Sequence, residues 1–146
     1  FFYPKDNTPG CTTENQDFSA MKADFDAADT ALLGVSKDSA KKHQNFIEKY
    51  DLKAPLATDA EEGGLSDELG IWTEKKNYGR TYLGIVRSSF LVDPSGKIVR
   101  IWDNVRVKGH VEKILATLRE ERESLKKAAA WFARETDAIP SGSSRS

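Results

Sequence analysis

Apolar residues near the start of the chain follow first a strand-like pattern and then a helical one. Residues 1–3 are all aromatic and predict a short strand, which ends at Pro4 and a polar turn over residues 5–10. From Cys11 onward, apolar side chains recur with the spacing of one helix face, at Phe18, Met21 and Phe25. The pattern therefore predicts a strand, a turn and a helix that begins near Cys11.

The middle of the chain alternates short apolar runs with polar stretches. Residues 30–35 (TALLGV) predict a buried strand. Ser39 has the side chain of an N-cap, for a helix whose apolar face carries Ala40, His43, Ile47 and Tyr50. The remaining stretch predicts an extended run around Pro55 and Leu56, a loop at 59–64, one or two helical turns at 65–71 and an exposed loop at 72–82.

The clearest turn signal separates two strand-like runs, residues 84–92 (GIVRSSFLV) and residues 97–102 (KIVRIW). The intervening DPSG has aspartate first, proline second and glycine fourth, which predicts a type I turn that closes a hairpin. A helix is expected over residues 109–118, with inward residues Val111, Ile114, Leu115 and Leu118. The order β-α-β-α-β-β-α indicates an α/β sandwich, with a central mixed sheet flanked by helices.

The helical pattern continues beyond residue 118 while the density of charge rises. We expect residues 119–136 to form a C-terminal helical extension of a domain at residues 1–118. Residues 137–146 (DAIPSGSSRS) have the composition of a disordered tail. The chain has no internal repeat, and its 146 residues suit a single core.

Composition excludes several classes of function. The formal net charge of -1 does not favour a nucleic-acid partner, and no apolar run approaches the roughly 18 residues of a membrane span. The single cysteine excludes an intramolecular disulfide, and with only His43 and His110 beside it we expect no structural zinc, no other metal and no cofactor. A lone cysteine is compatible with a reducing compartment, and we expect a cytoplasmic protein.

The single cysteine stands where reactive thiols are found. A strand and a turn precede Cys11 and a helix starts there, so its sulfur should lie near unpaired backbone N–H groups and the positive end of the helix dipole. Such positions stabilise the thiolate, which is the nucleophilic form of cysteine. A free cysteine is more often a small buried hydrophobe, but the preceding Thr8-Pro9-Gly10 favours the nucleophile, because Pro9 and Gly10 permit a tight approach of the backbone to the sulfur.

The residues around Cys11 resemble a known family. Pro4-x-x-x-Thr8-x-x-Cys11 matches the active-site motif of peroxiredoxins, and FFYPKDNTPGCTTE is similar to their Q-type, or bacterioferritin-comigratory, subgroup. Further segments resemble the same subgroup in the same order: GVSKDSAKKHQNFIEKYDL, GIWTEKKNYGRTYLGIVRSSFLVDPSGKIVRIW and VKGHVEKIL. The resemblance covers about residues 1–118.

The resemblance implies a thioredoxin-like fold and a thiol-dependent reduction of hydrogen peroxide and alkyl hydroperoxides. It implies four active-site residues, Pro4, Thr8, Cys11 and Arg87. Cys11 would attack the peroxide and become a sulfenic acid, Arg87 would supply positive charge, Thr8 would orient the peroxide and Pro4 would shield the sulfur. Members of the family normally begin with further strands, so we expect strands and any targeting segment upstream of Phe1.

The chain departs from the family pattern at Gln16, where many Q-type members carry a resolving cysteine. The sequence therefore resembles a one-cysteine variant that is reset by an external thiol, which would be thioredoxin, glutaredoxin or a small thiol. The resemblance also implies a monomer. Slow resetting would leave the sulfenic acid open to overoxidation.

The sequence leaves two other functions open. A thiol–disulfide oxidoreductase would share the implied fold, but the chain has no Cys-x-x-Cys pair. A non-enzymatic or inactive thioredoxin-fold fragment is the alternative that the late start of the chain keeps open. Three further residues have ambiguous roles: Glu14 complements the helix dipole or braces Arg87, and Trp72 and Tyr78 lie on a pocket rim or merely in an exposed loop.

Overall fold

The computed structural model describes residues 1–138, so residues 139–146 of the predicted tail lie outside the described part. The helices are α1 (Pro9–Ala20), α2 (Lys22–Ala27), α3 (Ala40–Tyr50), α4 (Leu65–Glu68) and α5 (His110–Ala138). The strands are β1 (Gly34–Ser36), β2 (Leu56–Thr58), β3 (Trp72–Asn77), β4 (Arg80–Ile85), β5 (Ser89–Val92) and β6 (Ile98–Trp102).

Phe2 links strands that pair in different directions. The parallel pair β1–β2 and the antiparallel pair β5–β6 form separate ladders, and Phe2 bridges to Val35 in parallel and to Ser88 in antiparallel. Because side chains alternate along an extended segment, Phe2 and Tyr3 enter two different core clusters. The predicted aromatic strand is therefore present as a single bridging residue at the centre of a mixed arrangement.

The two helices near the start of the chain form where the pattern predicts one. Pro9 occupies the first helical position of α1, where its fixed φ suits a helix and its missing N–H costs nothing. Helix α1 ends before Met21, and Phe25 lies on the next helix, α2. Phe18 and Phe25 are buried and their rings lie 5.8 Å apart, whereas Met21 is half-buried at the break.

Ser39 is the N-cap of α3, as predicted, because its hydroxyl accepts a hydrogen bond from the N–H of Lys42 at 3.2 Å. The buried face of α3 differs in part from the predicted one. His43 and Phe46 are buried, and Ala40 is exposed. The strand predicted over residues 30–35 is also shorter, since regular pairing begins at Gly34 and Leu33 is 50% exposed.

The loop predicted at residues 72–82 is wrong, because this segment forms the hairpin β3–β4. The pairing runs from Trp72–Ile85 to Asn77–Arg80, and the turn residues Tyr78 and Gly79 both have positive φ, 51° and 76°. Most of the paired side chains are exposed. The segment therefore lacks the alternation of apolar and polar residues that marks a half-buried strand.

The second hairpin is confirmed at its turn but not along its first strand. The N–H of Gly96 donates to the Asp93 carbonyl at 2.9 Å, which closes the predicted turn between β5 and β6. The strand predicted over residues 84–92 is two strands, because the backbone changes partners between them. Val86 bonds to Ile71 and Ser88 to Phe2, and Arg87 lies between these two contacts.

The chain divides into two compact units, Phe1–Val111 and the segment from Glu112 onward. Helix α5 passes through residue 118 without a break, so the boundary between a domain at 1–118 and an extension at 119–136 stays a prediction. The predicted inward residues are buried: Val111, Ile114, Leu115 and Leu118. Among residues 1–138, no helix has the length and apolar character needed to cross a membrane.

Candidate active site

Cys11 is the third residue of α1 and carries a free thiol. Its side chain is 1% exposed and belongs to a core cluster with Tyr3, Phe46 and Leu52. The backbone N–H groups of a first helical turn have no partner within the helix, and such a position generally favours negative charge. Burial alone would fit an inert core cysteine, and the polar neighbours of the sulfur decide between the two interpretations.

Arg87 is the polar neighbour of the sulfur. Its Nη2 donates to Cys11 Sγ at 3.4 Å, and its Nη1 donates to Glu14 Oε1 at 2.7 Å. Burial acts to lower the pKa of Arg87, but the charges of Cys11 and Glu14 outweigh it, so the pKa lies above its ordinary value. The guanidinium is therefore a permanent positive charge held against the sulfur.

Glu14 holds Arg87 from the other side. It lies one turn after Cys11 on α1, is fully buried and forms an ion pair with Arg87. Burial raises the pKa of Glu14, and the positive charge and hydrogen bond of Arg87 oppose that shift. The sequence left two roles open for Glu14. The structure shows the contact with Arg87 that one of them, bracing Arg87, requires.

Gly10 leaves room for this arrangement. A Cβ atom at Gly10 would lie 3.2 Å from Arg87 Nη2, which is closer than an ordinary van der Waals contact. A side chain at this position would therefore require Arg87 Nη2 to shift by a few tenths of an ångström. Gly10 thus leaves space for the side chain of Arg87, which lies 77 positions further along the chain.

Thr8 and Pro4 lie in the loop that precedes α1. Thr8 is the N-cap residue of α1 and is half-buried, and its hydroxyl donates to the Lys5 carbonyl at 2.7 Å. A hydroxyl used in this way keeps its oxygen lone pairs available to a ligand. Pro4 is half-buried at the start of the same loop.

Lys75 is a charged residue near the site that the sequence did not reveal. Burial and the positive charge of Arg87 lower the pKa of Lys75, and the negative charge of Cys11 opposes this. Lys75 lies on β3, in the segment predicted to be a loop, and no sequence motif marks it. Tyr78 is 98% exposed at the hairpin tip, and Trp72 packs beneath the Lys37 ammonium group.

Within residues 1–138, no group of three or more His, Cys, Asp or Glu side chains has the geometry to hold a metal ion. The groups that the structure brings together at the site are the Cys11 thiol, the Arg87 guanidinium and the Glu14 carboxyl group. Such a site suits attack by sulfur on a bond whose leaving group becomes negative.

Comparison with known proteins agrees with this chemistry. The sequence profile of the AhpC/TSA family matches residues 1–101. Peroxiredoxin Bcp of Xanthomonas campestris is 47% identical over 119 residues, which are 82% of this chain and 74% of that protein. Peroxiredoxin Bcp of Bacillus subtilis is 45% identical over 123 residues, which are 84% and 78% of the two chains.

A solved structure shows the same fold. The bacterioferritin comigratory protein of Xanthomonas campestris superposes with a TM-score of 0.75 at 46% identity, covering 82% of this chain and 76% of its own. This similarity confirms the predicted α/β fold of the thioredoxin-like class. The chain therefore belongs to the AhpC/TSA family, among its Bcp, or Q-type, peroxiredoxins.

Proposed function

We propose that this chain is a thiol-dependent peroxidase that reduces hydrogen peroxide and alkyl hydroperoxides through Cys11. The contact of 3.4 Å between Cys11 Sγ and Arg87 Nη2 at the start of α1 carries the proposal. The related protein of Xanthomonas campestris has alkyl peroxide reduction activity, which supports the inclusion of organic hydroperoxides.

The first step forms a sulfur–oxygen bond. The Cys11 thiolate attacks one peroxide oxygen in line, the O–O bond breaks, and the cysteine becomes a sulfenic acid. The departing oxygen leaves as hydroxide or alkoxide and takes up a proton from water. Arg87 stabilises the negative charge as it moves from sulfur to the leaving oxygen, because the guanidinium is fixed by Glu14 before the peroxide arrives.

Thr8 and Pro4 complete the proposed site. The Thr8 hydroxyl lies in the loop that leads into α1, where its free lone pairs suit a hydrogen bond from the peroxide. Pro4 supplies an apolar wall with no N–H group, which limits the access of water to the sulfur. Neither residue takes part in bond making.

The second step needs another thiol, because Cys11 is the only cysteine of this sequence. An external thiol attacks the sulfenic sulfur, releases water and forms a mixed disulfide, and a second thiol then restores Cys11. We propose thioredoxin, glutaredoxin or a small thiol as the reductant, a monomer as the active form and the reducing cytoplasm as the setting.

A stopped-flow measurement with wild-type protein and Cys11→Ser tests the proposal. We expect second-order consumption of peroxide by the wild type, faster than by free cysteine, and none above background by the serine variant. Circular dichroism of both proteins controls for folding. A folded wild-type protein that reacts no faster than free cysteine would refute the peroxidase.

A further inference from the structure

The loop between β6 and α5, residues 103–109, runs beside the backbone of Arg87. Two of its apolar side chains, Val105 and Val107, are half-buried, whereas the basic residues on either side of Val107 are exposed. In an extended segment, such alternation means that the two valines share one face and the basic residues the other. The proposed reaction at Cys11 assigns no role to this loop.

Hydrogen bonds anchor the loop on both sides of Val107. The Val105 N–H donates to the Arg87 carbonyl at 2.9 Å, and the His110 N–H donates to the Val107 carbonyl at 3.1 Å. His110 is itself buried, and its Nε2 lies 2.8 Å from the Ser89 hydroxyl oxygen. The position of Val107 is therefore set by the same stretch of chain that carries Arg87.

The Val107 side chain lies at the start of α1, close to the Arg87 guanidinium. A Cβ atom at Gly10 would lie 3.9 Å from Val107 Cγ2 and 3.2 Å from Arg87 Nη2. The same Nη2 donates to Cys11 Sγ at 3.4 Å. Val107 and the guanidinium therefore border the same point, one residue before the reactive cysteine.

The two sides of the guanidinium differ in what surrounds them. Nη1 faces Glu14, which is fully buried. Nη2 faces the sulfur and the space beside Gly10 and Val107, both of which are half-buried. A peroxide that lies against both the sulfur and the guanidinium therefore has Val107 as an apolar neighbour on the partly open side of the site.

The methyl groups of Val107 can contact only the apolar part of a substrate. Hydrogen peroxide has no such part. In an alkyl hydroperoxide, sulfur takes the terminal oxygen and the oxygen that carries the alkyl group leaves as an alkoxide, which takes up a proton from water. Because Arg87 stabilises that leaving oxygen, the attached alkyl group extends from the guanidinium, where contact with Val107 would remove apolar surface from water.

We propose that Val107 is a specificity-determining residue, against which the alkyl group of an organic hydroperoxide packs beside Arg87. The inference rests on the proposed function, and it makes organic hydroperoxides the class of substrate that gains from this part of the site. Reaction with hydrogen peroxide needs only the sulfur and the guanidinium.

Val107→Thr tests the proposal, because it replaces one methyl group by a hydroxyl group and keeps the branched shape. The measured quantity is the ratio of the second-order rate constants for cumene hydroperoxide and hydrogen peroxide, each from loss of free thiol with limiting peroxide. We expect the ratio to fall about three- to tenfold, since one methyl group in contact is worth about a factor of four and the hydroxyl group loses water. Val107→Ala should lower the ratio by a similar factor.

Val99→Thr is the matched control, because it makes the same chemical change at a position of β6 that is 49% exposed. It should retain the wild-type ratio. Val107→Ile keeps an apolar branched side chain and should also retain the ratio within about twofold. If Val107 only supported the position of Arg87, Val107→Thr would slow both peroxides by the same factor and leave the ratio unchanged.

The outcomes distinguish this inference from the proposed function. A wild type that reacts with neither peroxide refutes the proposed function and this inference with it. An active wild type whose ratio is the same in Val107→Thr refutes the role of Val107 and leaves the peroxidase standing. If circular dichroism shows that Val107→Thr does not fold, the ratio for Val107→Ala decides.

Discussion

Arg87 makes two interactions at the residue scale through separate nitrogens of one guanidinium group. Nη1 pairs with buried Glu14 and Nη2 reaches the Cys11 sulfur. A planar fork can hold both partners at once, whereas the ammonium group of lysine is a single point on a flexible stem. The residue type is thus tied to the geometry of the site and not only to its charge.

Arg87→Lys should lower the second-order rate constant with hydrogen peroxide about 10- to 100-fold, because one ammonium group cannot keep both contacts. Stopped-flow kinetics under limiting peroxide measures the change. Arg80→Lys is the matched control, since Arg80 is exposed on β4. Equal rates for wild type and Arg87→Lys would show that positive charge alone suffices.

At the scale of elements, Asp59 organises the short helix α4. Its carboxylate accepts hydrogen bonds from the N–H groups of Leu65 and Ser66 and from the Ser66 hydroxyl. Burial acts to raise the pKa of Asp59, but these hydrogen bonds and the nearby Lys37 lower it to about 2. The four-residue helix lacks a side-chain cap at Gly64. Asp59, which precedes the helix, instead accepts the hydrogen bonds of its first N–H groups.

Asp59→Asn should reduce the free energy of unfolding at pH 7 by about 1–2 kcal/mol. The folded-state pKa of Asp59 is depressed, so its stabilisation is complete above the unfolded pKa of 3.8 and is lost as pH falls towards about 2. The difference between wild type and variant should therefore shrink below pH 3.8. Urea titrations at a series of pH values measure it, and a constant difference at all pH values would contradict the assignment.

The hairpins show why some elements were predictable and others were not. The turn after β5 has its signal in four consecutive residues and was predicted. The hairpin β3–β4 was missed because its strands are mostly exposed and Tyr78, at a position with positive φ, is not a residue that such turns favour. Local turn chemistry is visible in a sequence, whereas pairing between exposed strands depends on backbone hydrogen bonds that leave little pattern in the side chains.

At the scale of the whole molecule, the burial of Cys11 limits which molecules can reach its sulfur. Cys11 is 1% exposed, which suits a small peroxide better than the thiol of another protein. The described structure must therefore open locally before a protein reductant can reach the sulfenic sulfur. Because the sequence holds no second cysteine, the sulfenic acid of the proposed mechanism persists until an external thiol reaches it.

Excess hydrogen peroxide without added thiol should drive Cys11 to the sulfinic acid, because nothing in the chain competes with the second oxidation. Mass spectrometry of the intact protein should show a two-oxygen adduct on Cys11, and addition of a dithiol before the peroxide should suppress it. Recovery of unmodified thiol alone would contradict an accessible, reactive cysteine.

The sequence by itself identified Cys11 as the candidate nucleophile and predicted its immediate setting. The single cysteine, the preceding Thr8-Pro9-Gly10 and the start of α1 are all local, since they depend on residues within one turn of each other. Arg87 was assigned to the site from the family resemblance and not from any feature of its own strand.

Only the tertiary structure decided which distant groups meet. It brings Arg87 to Cys11 across 76 positions and Tyr3 near His43 across 40, and it places Lys75 near the sulfur. Capping, turn and periodicity signals act between near neighbours and can be read along the chain. Contacts between residues far apart arise from packing of the folded core, and nothing in the local pattern around His43 or Lys75 specifies their partners.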